Sequence, residues 1–317
     1  MGDLHVVFGT GPIGLATCHE LAAQGREVRT VNRSGRAEVP AGVQVIAGDA
    51  ADAAFAAKAA AGAGSVYQCL NPEYHQWPAM FPGLQNGVIA GARAAGARLV
   101  SFENLYMYGD THGLPISEAT PDNPRTRKGT VRSAMAKQLR RLHASGELQV
   151  VTARASDYFG PGGLEQSPLG ELVIGAALAG KPARVVGDPD QPHSYTYTLD
   201  AGRTLAALGT RDDVLGEVFI VPNAPAMSTR EIVDLVAAEV GSPIKVSVAP
   251  RLVLRMMGLF NKTIREVDEM LYEFTQPFVT DTDKAETRLG LAPTPLPEAI
   301  AATVAWFRQH HAAGIGR

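Results

Sequence analysis

Apolar positions in this chain come in short runs that alternate with longer stretches of helical spacing. Val6, Val7 and Phe8 run into glycines at 9, 11 and 14; from Ile13, Leu15 and Ala16 a helical pattern holds to Gln24 and stops at Gly25. This predicts a strand, a tight turn and a helix. The same alternation continues, with strands expected over residues 27–32, 43–47, 65–70, 98–102 and 148–154. Helices are expected between them over residues 51–61, 78–95 and about 125–144. Strands separated by helices of that length imply a parallel sheet with right-handed crossovers. The fold class is therefore α/β, a doubly wound parallel Rossmann sheet. The pattern loosens after residue 165, so residues 1–165 are expected to form the dinucleotide-binding domain. Residues 166–317 are expected to form mainly a smaller C-terminal substrate-binding domain, with some segments returning to the sheet.

A GxGxxG string carries chemistry when it follows a first strand and opens a helix. Gly9 allows a tight turn, Gly11 lets a backbone approach a pyrophosphate, and Gly14 lets the helix lie against the strand. Gly9, Gly11, Pro12, Ile13 and Gly14 thus form a candidate phosphate cradle at a helix N-terminus. The second strand leaves through Asn32, Arg33, Ser34 and Arg36 with no carboxylate for a ribose 2′-hydroxyl. Guanidinium groups there suit a 2′-phosphate, so NADP(H) is expected to be preferred over NAD(H). Asp49, at the end of the third strand, suits either an adenine contact or the N-cap of the following helix. The fourth strand ends at Leu70 and Asn71, candidates at the crevice, and Tyr74, His75 and Trp77 follow as candidates for contact with cofactor or substrate.

Composition narrows the function classes. A net charge of −3 and a pI near 6.2 supply no basic field for nucleic acid. Only two cysteines occur, Cys18 and Cys69, read as small buried hydrophobes in a reducing, cytoplasmic setting. No stretch has the length of a membrane span, and the first residues lack the order of a signal peptide. No His, Cys or carboxylate cluster has metal-ligand spacing, so no metal is expected. A small-molecule substrate is the expected partner.

The glycine turn, the GDAAD after strand three, Tyr108-Gly109, the RASDYFGPG after strand six and the later HSYTYTLDAGRTLAAL together resemble the short-chain dehydrogenase/reductase superfamily. They are most similar to its extended and atypical branches, the NAD-dependent epimerase/dehydratase-like proteins, and the tail from Phe278 to Phe307 is similar to the closing segment of extended members. The resemblance implies a Ser or Thr before the Tyr-Gly and a Tyr-x-x-x-Lys on the helix before strand six. Here Asn104 stands at the Ser position, Lys128 at the Tyr position and Arg132 at the Lys position. The glycine turn departs as well, with Phe8 where extended members carry their first Gly.

Lys128 and Arg132, four residues apart, share a helix face. A lysine with its pKa lowered by a neighbouring Arg and a positively charged nicotinamide would exchange a proton near neutral pH. Arg132 would hold ribose hydroxyls, and Asn104 would polarise a carbonyl. The other reading is that Lys128 is a solvated first-turn residue and the chemistry is lost; Tyr108 and Tyr158 are the alternative proton donors, and Tyr158 also lies where cofactor is expected. The methionine- and aromatic-rich stretch 250–274 reads as core or as a pocket wall, and Arg251, Arg255 and Arg265 as surface residues or contacts to an anion. A helix is expected over residues 167–179, Asp200 is expected to cap one over 201–208, and Ser228 or Thr229 to start another with Glu231 or Asp234 placed for a capping box. Three function classes follow: an NADP(H)-linked oxidoreductase of a small carbonyl or alcohol, a nucleotide-sugar epimerase or dehydratase, and a cofactor-binding sensor without turnover. By the resemblance, the helices over 78–95 and 125–144 are expected to pair two copies into a homodimer.

Overall fold

The computed structural model describes residues 2–250, 256 and 268–312. Its centre is a seven-stranded parallel sheet. In chain order the strands are β1 (Leu4–Phe8), β2 (Glu27–Asn32), β3 (Gln44–Ala47), β4 (Ala63–Gln68), β5 (Arg98–Glu103) and β6 (Val150–Arg154). A seventh strand from far along the chain, Val218–Ile220, pairs with β6. The spatial order 3-2-1-4-5-6 followed by this strand reverses direction between β1 and β4. Ligands collect at such a switch point, outside the carboxyl ends of the strands.

Helices cover both faces: α1 (Pro12–Ala23), α2 (Ala53–Ala59), α3 (Trp77–Ala95) and α4 (Arg127–Ala144), joined later by Thr198–Thr210. The central strands are buried on both sides, which is why they read as runs of Val, Phe and Tyr rather than as alternation. One core layer gathers Val7, Leu21, Tyr67, Val151, Leu205 and Phe219. The opposite layer gathers Val6, Phe8, Ala56, Val88, Leu99 and Leu139. Close packing of Thr198–Thr210 on α1 depends on Gly202, where a Cβ would press on the backbone of Ala16.

Beyond β6 the chain builds a smaller layer. In order come β7 (Tyr158–Phe159), a π-helical turn (Gly170–Gly175) running into α5 (Ala176–Leu178), β8 (Ala183–Val185), β9 (Pro192–His193) and β10 (Thr196–Tyr197). The long helix Thr198–Thr210 is α6 and the seventh sheet strand β11; then follow β12 (Met227–Ser228), α7 (Thr229–Val240), β13 (Val246–Val248), α8 (Asp283–Leu289) and α9 (Leu296–Ala312). Short pairs β7–β10, β9–β12 and β8–β13 tie this layer together. Its own core contains Phe159, Val173, Tyr195, Ile232, Val236, Ile300 and Phe307.

Three local expectations are corrected. Asp52, not Asp49, caps α2, accepting from the N–H groups of Ala54 and Phe55. Asp49 accepts instead from Ala51 N at 2.9 Å, and the helix starts at Ala53, two residues later than its alanines suggest. Asp200 lies inside the first turn of α6 rather than at its cap; its carboxylate is claimed by Thr294 N at 2.8 Å and by Arg203. The helix expected near residues 167–179 is mostly π-helical, since the carbonyls of Gly163 and Leu164 close over the bare Cα of Gly170. Ser228 does start α7, in a capping box with Glu231. Most of the 250–274 stretch, with Arg251, Arg255 and Arg265, lies outside the described residues.

Candidate active site

The glycine turn meets a separate steric demand at Gly9 and at Gly14, and none at Gly11. Gly9 has φ of +109°, which L side chains rarely adopt, and a Cβ there would strike the carbonyl of Cys69. A Cβ on Gly14 would overlap the carbonyl oxygen of Gly9. A Cβ on Gly11 would meet nothing within 4 Å, so the turn is open on that side. Gly11 is also the N-cap of α1 and offers no capping side chain, and Pro12 follows at the first helical position. The first-turn N–H groups are thereby left to whatever occupies the open side. The loop after β6 closes over the turn, with Gly162 set against Pro12. This cradle fits a pyrophosphate.

At the exit of β2, Asn32 organises the loop instead of reaching outward. Its amide nitrogen donates to Thr10 Oγ1 and Arg36 O, each at 2.8 Å, and its oxygen accepts from Gly35 N at 2.6 Å. Ser34 joins the same knot through Asn32 Oδ1 at 3.2 Å. Arg33 is left exposed beside it. Leu70 is half-buried and Asn71 exposed at the end of β4, and Asp49 is exposed.

Helix α4 carries Lys128 and Arg132 on its buried face; each is 2% exposed. Thr126 caps the helix through Gly129 N, which fixes that face. Lys128 Nζ lies 2.6 Å from Glu269 Oε2 and 5.2 Å from the centre of the Tyr74 ring. The other oxygen of Glu269 accepts from the backbone N–H of Arg127. Arg132 lies over Phe81 at 4.9 Å and donates one bond, from Nη2 to Phe102 O at 3.3 Å. Its Nε and Nη1 are buried and, among the described residues, have no hydrogen-bond partner. Burial lowers the pKa of this guanidinium, and Arg154 adds to the effect while Glu103 opposes it. Unpaired buried donors are costly, so these two nitrogens point to a missing acceptor.

The proposed aromatic neighbours separate. Tyr74 shares a 2.7 Å hydrogen bond with Tyr106. Its phenol is pushed up first by burial and then by the charge of Asp157. Trp77, expected to face a ligand, is instead buried at 2%, stacked on Tyr106 with its N–H bonded to Pro72 O at 2.9 Å. The apolar face of α3 draws it inward. His75 is exposed beside Glu73. Tyr108 is buried at 1% and accepts from Arg154 Nη1 at 2.7 Å, where Arg154 also pairs with Glu103 at 3.0 Å. Tyr158 donates to Gln166 Oε1 at 3.1 Å. Asn104 is half-buried, its oxygen facing Tyr106 N at 3.4 Å.

Tyr106, Asp157, His193, Glu269 and Glu273 belong to this neighbourhood, and all but Asp157 carried no sequence signal. They come from loops after different strands and from the carboxyl-terminal segment, so no spacing links them. Only Asp157, lying in RASDYFGPG at a strand exit, stood where a site residue is expected. Among the described residues no cluster of His, Cys, Asp or Glu is arranged to hold a metal ion.

The fold and the glycine cradle agree with a family model for the NAD dependent epimerase/dehydratase family, which matches residues 6–221. The chain belongs to that family. Among solved structures, this epimerase/dehydratase member is similar to an epimerase from Methanothermobacter thermautotrophicus, with a TM-score of 0.82. The two are 18% identical over 98% of this chain and 94% of that one. It is also similar to dTDP-glucose 4,6-dehydratase from Streptomyces venezuelae with NAD bound, at TM-score 0.78 and 17% identity over 98% of each chain. UDP-glucuronic acid 4-epimerase from Bacillus cereus in complex with NAD gives the same values. No curated protein matches the sequence. At these identities the likeness extends to the fold.

Proposed function

We propose that the chain binds a nicotinamide dinucleotide along Gly9–Gly14 and moves hydride between its ring and a carbinol or carbonyl carbon of a small-molecule substrate. The observation that carries this reading is Arg132, whose two unpartnered nitrogens lie on the same buried helix face as Lys128. Ribose hydroxyls supply the acceptors those nitrogens lack. When bound, the nicotinamide supplies the hydride acceptor or donor. Lys128 then gives or takes the hydroxyl proton, Asn104 polarises the oxygen, and Tyr74 walls the substrate. Tyr158 is the second candidate donor, and burial holds its proton firmly.

Family membership favours epimerase or dehydratase chemistry, in which the cofactor ends as it began; structural neighbours include enzymes of nucleotide sugars. The second reading is a net reductase or dehydrogenase using NADP(H). It is favoured by the exposed Arg33 and Arg36 at the exit of β2, where no carboxylate waits for a 2′-hydroxyl. Fluorescence titration with NADPH and NADH, followed by product analysis with UDP-glucuronic acid, dTDP-glucose and a panel of small carbonyls, separates the readings. Product without net cofactor change supports the first, NADPH consumption the second, and tight cofactor binding with no product from any compound a sensor. Absence of binding by either nucleotide overturns the proposal. A homodimer through α3 and α4 belongs to the same reading; a monomer mass by light scattering at micromolar concentration removes it.

A further inference from the structure

Lys128 holds its ammonium deep in the crevice wall, and a proton given up there has to be replaced from water. With 2% of its side chain exposed, the lysine is poorly placed to meet bulk solvent. Its Nζ lies 2.6 Å from Glu269 Oε2, and Glu269 keeps 16% of its side chain exposed. The carboxylate thus stands between a buried amine and the solvent. A heavy-atom separation of that size is within the reach at which a positioned group takes or gives a proton.

Glu269 is itself held in one orientation. Its other oxygen accepts from the backbone N–H of Arg127, the first residue of α4, so the carboxylate also meets the positive end of that helix. Next along the chain, Met270 is buried at 5% in a cluster with Trp77, Phe81, Tyr106 and Met135, and Tyr272 packs against the same cluster. Tyr74 belongs there too, with Lys128 Nζ over its ring at 5.2 Å. The carboxyl-terminal segment is thereby anchored on the aromatic cluster and delivers a carboxylate to Lys128. Capping of α4 accounts for one oxygen of that carboxylate; the other faces the lysine.

We propose that Glu269 is the positioning and proton-relay residue for Lys128, passing protons between its amine and water. As the carbonyl oxygen of a substrate becomes a hydroxyl, the ammonium of Lys128 gives it a proton, an N–H bond breaking as the O–H bond forms. The carboxylate of Glu269 takes a proton from water or a buffer acid and hands it to the neutral amine, which restores both groups. Oxidation of a hydroxyl runs the same steps backwards. Glu269 acts through Lys128 rather than on the substrate. This inference rests on the reading that Lys128 exchanges the hydroxyl proton.

The first test needs no substrate. In protein carrying nitrogen-15 at lysine Nζ, the Lys128 signal is assigned by its loss in Lys128→Met, and exchange of its ammonium hydrogens with water is measured by NMR. A relaying carboxylate speeds that exchange, whereas one that only covers the amine slows it. Glu269→Gln, which keeps the size of the side chain, is expected to slow exchange by roughly tenfold or more, and Glu269→Asp to recover part of the rate. Unchanged or faster exchange in Glu269→Gln overturns the proposal. The second test is reduction of propanal with NADPH. Glu269→Gln should lower kcat by roughly tenfold or more, with KM and NADPH affinity unchanged. In Glu269→Ala, turnover should rise with imidazole concentration at fixed pH, because imidazole carries protons, and should not rise with sodium chloride at matched ionic strength. Equal effects of the two additives assign Glu269 a structural role and overturn the relay. A higher kcat in Glu269→Gln would make the ion pair a restraint on Lys128 and likewise sinks it. Slowed exchange in Glu269→Gln together with wild-type turnover in Lys128→Met supports the relay and removes instead the reading that Lys128 is the proton donor.

Discussion

At Lys128 and Arg132 two cations share one buried helix face, and they are expected to fail differently when removed. Lys128→Met should lower turnover by about 10²–10⁴-fold, the usual loss of a general acid, with cofactor affinity nearly unchanged. Arg132→Ala should weaken cofactor binding as well, which a fluorescence titration reads directly. Wild-type rates in Lys128→Met together with a large loss in Tyr158→Phe would move the proton to the tyrosine. Arg33→Ala should erase any preference for NADPH over NADH, and retention of that preference would remove the 2′-phosphate assignment. His5 offers a test of stability. It is 4% exposed, bonded to Tyr67 at 2.8 Å, and burial, followed by the charge of Arg26, lowers its pKa from 6.5 to about 4. The unfolded chain therefore binds the extra proton between pH 6.5 and about 4, so stability is full above pH 6.5 and falls as pH drops through that window. The loss at the acid end is on the order of 3 kcal/mol. Urea midpoints of His5→Gln should lose this slope; an equal slope in wild type and variant would assign it to other groups.

Among the elements, α7 begins with a reciprocal cap in which Ser228 Oγ accepts from Glu231 N at 3.2 Å and Glu231 Oε2 accepts from Ser228 N at 2.7 Å. Ser228→Ala should cost about 1 kcal/mol in chemical denaturation, as loss of an N-cap does. The pairing of β5 with β6 contains a larger liability. Glu103 and Arg154 are 1% and 3% exposed and 3.0 Å apart. Although burial works against the charge of Arg154, Glu103 and then Tyr108 hold its pKa above the ordinary value. Arg154→Met would leave Glu103 charged and unpaired, at an expected cost of about 3–5 kcal/mol. A shift of under about 1 kcal/mol in Arg154→Met would mean that water or another group takes over the carboxylate.

The whole molecule closes on itself through segments distant in sequence. Leu205 of α6 and Phe219 of β11 share a core cluster with Val7 and Tyr67, and Ser65 Oγ donates to Gly209 O at 2.6 Å. A fragment ending at residue 165 would expose that face and is expected to aggregate or to lack a cooperative thermal transition. A sharp transition in the fragment would show that the first half folds without α6 and β11. No described helix is long and apolar enough to cross a membrane. The sequence by itself determined the alternation of strands and helices, the glycine turn with a distinct steric demand at each of Gly9 and Gly14, a helix start at Ser228 or Thr229, and the shared face of Lys128 and Arg132. Each is a local matter, set by a period of 2 or 3.6 residues, by a φ only glycine adopts, or by a side chain reaching the next turn. Tertiary structure alone decided that Trp77 turns inward, that Tyr108 serves Arg154, that Asp52 and not Asp49 caps α2, that Glu269 meets Lys128 and that His193 meets Asp157. Those residues lie tens to more than a hundred positions apart, and they meet because burial of the sheet and of the smaller layer folds the chain back over its own crevice, a distance that no local pattern records.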